Sequence, residues 1–378
     1  MKILRLIYDW PPPWDGLAPG PYALTEAQAA LGNQLVVVCG GGSLLLKKRL
    51  AAEIKNTKVL RLSRTLPKVG PFFTTSPLAL LAYFYYKIKF RPDVVHGHGH
   101  ITLWFNAYRY FFGWLDKTPY ILHFHNTAAG REATVLRQGL PIPFLTRFVE
   151  WPLHKLSDYL GCLVANKLVF VSLDTAHEAE NYYDAQRSKI VVLENGVDTK
   201  KFSSEGSKPP VFTNGPVLMY QGSLKPRKRA DLLVRSLKHL PSNVNLILIG
   251  PKEEAISKVI REEDLSERVK MMGYLKNEDT PPYFRAATLF VLPSSYEGFP
   301  KVVLESLACG TPVLASGFSV NPPVSGLVVT SFETAEELAE AIKKQLESPQ
   351  TVNVAAITKR FDWGVLASRL QETYQELL

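Results

Sequence analysis

Short, unbroken apolar runs recur along this chain of 378 residues, each followed by a stretch with helical spacing, and the alternation occurs twice. Residues 3–8, 34–39, 58–62, 93–96, 120–123, 167–171 and 190–193 form the first series. Strands that are apolar without alternation are covered on both faces, as in parallel sheets flanked by helices. A Pro/Gly-rich stretch at 11–21 reads as a loop, 22–31 as a helix ended by Gly32, and three glycines from Gly40 stop the second strand. After Asn195-Gly196-Val197-Asp198 and a Pro-rich connector at 200–216, the series restarts at 217–221, 245–249, 269–272, 288–292 and 312–315. The pattern predicts two doubly wound α/β units, residues 1–198 and 199–362. The amphipathic segment 363–378 is expected to return to the first. Ligands of open parallel sheets bind outside the carboxyl ends of the strands, so function is sought in the loops there, facing a cleft between the units.

Composition narrows the class. Apolar residues make up 46% and charged residues 21%, which excludes a disordered, collagen-like or coiled-coil chain. Cys39, Cys162 and Cys309 are far apart and outside any CxxC, so neither a disulfide framework nor a cysteine zinc site is expected, and a cytoplasmic, reducing setting fits. Met1-Lys2 runs straight into the first strand, so no leader is expected, and no apolar stretch reaches the roughly 20 residues that span a bilayer. The net charge is +9. Residues 1–198 hold 22 basic and 15 acidic residues, net +7, and the rest 22 and 20, net +2. The front half therefore suits an anionic partner, whether phosphate, membrane surface or nucleic acid, unless the surplus serves solubility alone.

The segment SSYEGFPKVVLESLACGTPVLAS, 294–316, carries the most chemistry. It follows a buried strand and turns into a helix. Gly298 admits a ligand close to the backbone, Pro300 suits the first helical turn, and the free amides there form an anion site with Lys301 beside them. Glu297 and Glu305, with seven residues between them, can accept hydrogen bonds from hydroxyls at the helix mouth and along its face. A polyhydroxylated diphosphate fits this set; a surface glutamate and a loop glutamate fit the carboxylates alone equally well.

The whole stretch, from Leu292-Pro293-Ser294 through Glu297-Gly298-Phe299 to Glu305-Ser306-Leu307-Ala308-Cys309-Gly310-Thr311-Pro312-Val313, resembles the Glu-x7-Glu signature of retaining glycosyltransferases of family 4, which have the GT-B fold. The resemblance implies that Glu297 meets the transferred sugar, that Gly298, Phe299, Pro300 and Lys301 approach sugar and phosphate, and that Glu305 holds the nucleotide ribose. The segment YQGSLKPRKRADLL, 220–233, resembles the family's phosphate loop through Gly222, Leu224 and Lys228. Its usual arginine is Ser223 here, so Lys228 is the firm carry-over and Arg227 or Arg229 the candidate second cation. Taken alone, this segment also reads as a solvated basic turn. Gly273-Tyr274-Leu275 resembles the loop that meets the base, and Asp15-Gly16 after the three prolines resembles the family's first-domain glycine loop.

Two histidine runs follow strands: His96, His98 and His100, then His123 and His125. Alternation places side chains on one face, which raises a metal reading, but the preferred one follows the resemblance. It sets His125 at the transferred sugar and His98 in the cleft, with His96 and His123 equally readable as satisfied core residues; no metal is expected. The residues and the resemblance together predict retaining, metal-independent transfer from a nucleotide diphosphate sugar, UDP- or GDP-linked, to a hydroxyl acceptor, with no cofactor and no nucleic-acid partner. A sugar-nucleotide epimerase and a non-catalytic carbohydrate-binding protein are the alternatives. Aromatic and basic residues mix at 71–90, 108–114 and 144–155. They read either as core helices or as a surface for a lipid-linked acceptor, peripheral at the inner face of an anionic membrane.

Overall fold

The computed structural model describes residues 1–11, 18–40, 53–62, 73–139, 142–251 and 253–378. Asp15 and Gly16 lie outside the described residues, as do Gly41, Gly42 and the start of the 71–90 segment. Two compact units are present: Met1–Glu194 with Trp363–Leu378, and Asn195–Asp362.

The first unit is a parallel sheet of β1 (Lys2–Ile7), β2 (Gln34–Cys39), β3 (Thr57–Arg61), β4 (Val94–His98), β5 (Tyr120–Phe124), β6 (Lys167–Phe170) and β7 (Ile190–Val192), in the order β3-β2-β1-β4-β5-β6-β7. Helices α1 (Pro19–Ala30), α2 (Thr75–Lys89), α3 (Leu103–Phe112), α4 (Ala128–Arg137), α5 (Trp151–Val164) and α6 (Leu173–Tyr183) connect the strands. The strand residues divide by parity. Leu4, Val36, Val95 and Leu122 pack with Tyr83 and Phe105, whereas Ile3, Leu35, Val94 and Ile121 pack with Leu366, Leu370 and Tyr374 of the last helix, Trp363–Gln375. That division is why the runs are apolar throughout rather than alternating.

The second unit repeats the plan with β8 (Val217–Gln221), β9 (Asn245–Ile249), β10 (Val269–Gly273), β11 (Leu289–Leu292), β12 (Val313–Ala315) and β13 (Leu327–Val329), ordered β10-β9-β8-β11-β12-β13. Between these lie α7 (Ala230–Ser236), α8 (Glu254–Glu262), α9 (Pro281–Ala286) and α10 (Lys301–Ala308), followed by α11 (Ala335–Glu347) and α12 (Val354–Phe361). In each sheet the order reverses beside the first strand, at β1/β4 and β8/β11. Loops leaving such a pair diverge and open a crevice.

Several boundaries differ from the sequence reading. Helix α1 begins at Pro19, inside the stretch read as loop, because proline in the first turn has no N–H to leave unsatisfied. Strand β4 runs on to His98, carrying two histidines within it. Strand β13 was not anticipated. It has only three residues, all partly exposed, and so lacks the buried apolar signal. Pro300 caps α10 instead of entering its first turn, with φ −76° and ψ 120°.

Candidate active site

In the second unit the loop after β8 and the loop after β11 meet at the switch point. Lys228 Nζ pairs with Glu297 Oε1, both side chains largely buried, and Arg227 Nη1 lies 3.5 Å from the same oxygen. Arg227 also donates to the Tyr296 carbonyl, while its own carbonyl accepts from Ser295 N at 3.0 Å and Ser295 Oγ at 3.1 Å. The two loops therefore form one hydrogen-bonded piece that holds two cations and a carboxylate together. Glu297 N donates to Gly317 O at 2.7 Å. Gly317 has φ +87°, and a Cβ there would stand 2.5 Å from Ser294 O, so this close approach needs glycine.

Arg229 points elsewhere. Its guanidinium donates to Phe332 O at 3.0 Å and Glu333 O at 3.1 Å, tying the loop to the segment before α11. Of the two candidates for the second cation, only Arg227 joins Lys228. Ser223, in the usual arginine's place, offers its carbonyl to the buried Tyr220 hydroxyl at 2.7 Å. Gly222 is held by its N–H to Ile249 O at 2.9 Å, and a Cβ on Gly250 would come within 2.0 Å of Gly222 O. Gln221 Oε1 and Ser294 Oγ, near the ends of β8 and β11, are buried with no partner among the described residues. Ser294 stands in the signature segment, but neither residue was given a site role from sequence.

Glu305 lies on α10 and is buried. Asn277 Nδ2 donates to its Oε1 at 3.1 Å, and Oε2 has no partner among the described residues. Burial raises the Glu305 carboxyl above its usual range, opposed by the Lys301 charge and the Asn277 bond. Burial likewise lowers Lys301 to about 8. Gly273, with φ +73°, ends β10 and leads through the exposed Tyr274 and the half-buried Leu275 to Asn277. Asn277 was missed in the sequence because a loop asparagine carries no signal of a partner far along the chain. The Phe299 side chain is core, with its ring 5.8 Å from both Phe318 and Phe361, so only its backbone is available to a ligand. Its carbonyl is taken by Asn195 Nδ2 at 2.6 Å. Gly298 and Pro300 complete the loop into α10.

In the first unit, His96, His98, His123 and His125 form a stack with adjacent ring centroids 4.4 to 5.5 Å apart. His100 leaves it at the turn Gly99–Thr102 and meets His154 edge-on at 4.1 Å. His96 Nδ1 bonds the Tyr374 hydroxyl at 2.6 Å, but both nitrogens of His123 are buried without a partner among the described residues, so His123 is not a satisfied core histidine. His98 Nδ1 and His125 Nε2 are 3.2 Å apart. His98 Nε2 is buried with no partner among the described residues.

His96, His98 and His123 bring one nitrogen each within 4.8 Å of the others. Their rings lie 5° to 26° from parallel. Burial keeps all three well below the usual histidine range, and the fully buried Arg5 guanidinium adds to the effect. Held below the usual range, these imidazoles are neutral, the form that stacks and also the form that binds a metal.

A cavity of about 160 Å³ opens at the β1/β4 switch point. Tyr8, Asp9, His98, His125, Arg131 and Asp158 are among the residues lining it. Burial raises Asp158 to about 7 although its carboxylate accepts from Ala128 N at 2.8 Å.

Comparison with known proteins decides the family. Residues 203–360 match the family described as glycosyl transferases group 1, and residues 14–201 match Glycosyltransferase Family 4. The chain is a family 4 glycosyltransferase. D-inositol 3-phosphate glycosyltransferase of Mycolicibacterium smegmatis is 26% identical to it over 309 residues, covering 76% of this chain and 68% of that protein. Among solved structures, sucrose-phosphate synthase of Thermosynechococcus elongatus matches with TM-score 0.81 at 19% identity, over 100% of this chain and 99% of its own. HepE of Anabaena, solved with UDP, matches with TM-score 0.74 at 18% identity over 100% of each chain. This glycosyltransferase has the GT-B architecture of two Rossmann-like units. The epimerase and carbohydrate-binding alternatives receive no support from these relatives.

Proposed function

We propose that this glycosyltransferase moves a sugar from a nucleotide diphosphate donor to a hydroxyl acceptor with retention of configuration, using its own cations in place of a metal or cofactor. The observation carrying this reading is the joining of Lys228, Arg227 and Glu297 across the β8/β11 switch point. Negative charge grows on the diphosphate as the anomeric bond breaks, and cations already fixed in place stabilise it without reorganising. Lys228 and Arg227 take that role, with Lys301 and the α10 amides beside them. Glu297 orients Lys228 and meets the sugar hydroxyls, while Glu305 Oε2 accepts from the ribose. Gly273, Tyr274 and Leu275 offer main chain to the base. Attack comes from the face the diphosphate leaves, and a phosphate oxygen takes the acceptor proton.

Residues 1–198 are read as the acceptor side, with His125 and His98 as its candidate residues among those described. The absence of any Asp-x-Asp sequence supports metal-independent chemistry. The acceptor is read as lipid-linked, with the enzyme peripheral at the cytoplasmic face of a membrane. No helix among the described residues is long and apolar enough to cross one.

The test is a thermal-shift panel of UDP, GDP and ADP with their sugars, followed by NMR of the anomeric proton in the transferred product. A ligand at 100 times its dissociation constant stabilises by about 2.7 kcal/mol. A shift with one diphosphate series and an axial-to-axial or equatorial-to-equatorial outcome supports the reading; inversion, or full activity only with added divalent metal, overturns it.

A further inference from the structure

Helices α2 and α3 each bury one face against the sheet and present a second apolar face outward. On α2 the outward stripe is Leu81, Phe84, Tyr85 and Ile88, spaced three, four and seven residues from the first, with Ile88 73% exposed. Phe111, Phe112, Trp114 and Leu115 end α3 and the turn after it, with Trp114 70% exposed. The two faces are continuous. Phe84 meets Tyr108 at 4.9 Å, Tyr108 meets Phe112 at 6.1 Å, and Phe112 meets Phe111 at 6.5 Å. Isolated exposed apolar residues need no explanation, but a connected aromatic surface marks an interaction site.

Its charge identifies the partner. Residues 75–117 contain five cations and two carboxylates, Asp93 and Asp116. Asp116 is wholly buried, where Lys87 Nζ at 2.8 Å and Arg109 Nη1 at 3.7 Å face it and the Tyr83 hydroxyl donates to it. Asp93 accepts from the Lys2 backbone N–H at 2.7 Å. Lys89, Arg91 and Lys117 are exposed and make no ion pair among the described residues. The buried carboxylate thus joins the ends of the two helices and leaves only cations at the rim.

We propose that the α2–α3 face docks on an anionic lipid surface, its aromatic side chains entering the headgroup boundary while Lys89, Arg91 and Lys117 bind the headgroups. Tyrosine and tryptophan suit that boundary because each has an apolar body and a polar tip. A symmetric dimer through the same face would bring like charges together, whereas an anionic bilayer complements them. This deepens the membrane-proximal reading above by assigning it to one surface.

The experiment is flotation with phosphatidylcholine vesicles containing either no or 30% phosphatidylglycerol, together with tryptophan emission. Binding is expected only to the anionic vesicles, with a blue shift that Trp114→Phe reduces. Ile88→Glu with Phe111→Glu should abolish binding, and each of Lys89→Gln and Lys117→Gln should weaken it about fivefold. The thermal shift with nucleotide diphosphate should be unchanged in every variant, which separates loss of docking from misfolding. Equal binding to neutral vesicles, retention in the double glutamate variant, or a concentration-dependent dimer abolished by that variant overturns the proposal. Docking with no transfer to lipid acceptors would leave this surface standing and remove the lipid-linked acceptor instead.

Discussion

Asn277 Nδ2 donates to Glu305 Oε1 at 3.1 Å, and the other carboxylate oxygen of Glu305 is buried with no partner among the described residues. One oxygen is held by the loop after β10, which fixes the direction of the second. A carboxylate kept underused in a protein interior lowers stability, and a ligand hydroxyl can use it.

Glu305→Gln should therefore leave the protein as stable or more so, while weakening nucleotide diphosphate binding about 10- to 100-fold, the loss of a hydrogen bond to a charged group. Asn277→Ala should weaken binding less, since it frees the carboxylate without removing it. Calorimetric titration paired with thermal melts checks both. Weaker folding with unaltered affinity would assign Glu305 to the core.

Removing Lys228 alone leaves Glu297 buried beside Arg227, and breaking such a pair costs about 3 kcal/mol. Lys228→Met should be destabilised by that order, and Lys228→Met with Glu297→Gln should recover most of it. Activity should not recover. We expect kcat about 100- to 1000-fold down in both the single and the double variant, as for loss of a charge-stabilising donor. A double variant with restored turnover would make the pair structural only.

Lys301 introduces a pH dependence. Its folded pKa is about 8 against 10.5 for the free side chain, lowered by burial despite the Glu305 charge. Between those values the unfolded chain binds more protons, so this group makes stability rise with pH from about 8 toward 10.5. Donor affinity should move oppositely, falling above pH 8 as the cation is lost. Lys301→Met should remove both slopes in urea melts and binding titrations.

Acid should act on the histidine stack. His96, His98 and His123 are held well below their usual pKa of 6.5, His100 near 4 and His154 near 2, chiefly by burial. Below pH 6.5 the unfolded chain takes up protons first, so the first unit should lose stability as pH falls from there. Asp158, raised to about 7, works in the opposite sense between 3.8 and 7. Thermal melts of wild type and His123→Phe across pH 5 to 8 should show a shallower acid slope in the variant.

Most strands were legible in the sequence because both faces of a parallel strand are covered, which produces runs such as those of β2, β8 and β9 with the observed limits. Strand β13 and the proline-led start of α1 were not, since short half-exposed strands and first-turn prolines look like loop. The signature glutamates and Lys228 were picked out by their resemblance to family motifs, which are local in sequence. What each residue touches could not. Arg227 and Arg229 are two positions apart and indistinguishable by composition, yet the first turns to Glu297 and the second to the carbonyls before α11.

The histidines show the same division. Alternation placed His96 and His98 on one face, but the contact of His98 with His125 needs β4 and β5 side by side, and the departure of His100 needs the turn at Gly99. Local order in the chain determined which residues are strands, loops and helix mouths, because backbone preference and side-chain period act over a few residues. Tertiary structure alone decided which charges are paired, which carboxylate oxygen is left over and which helix faces are covered, because burial and pairing depend on partners tens or hundreds of residues away.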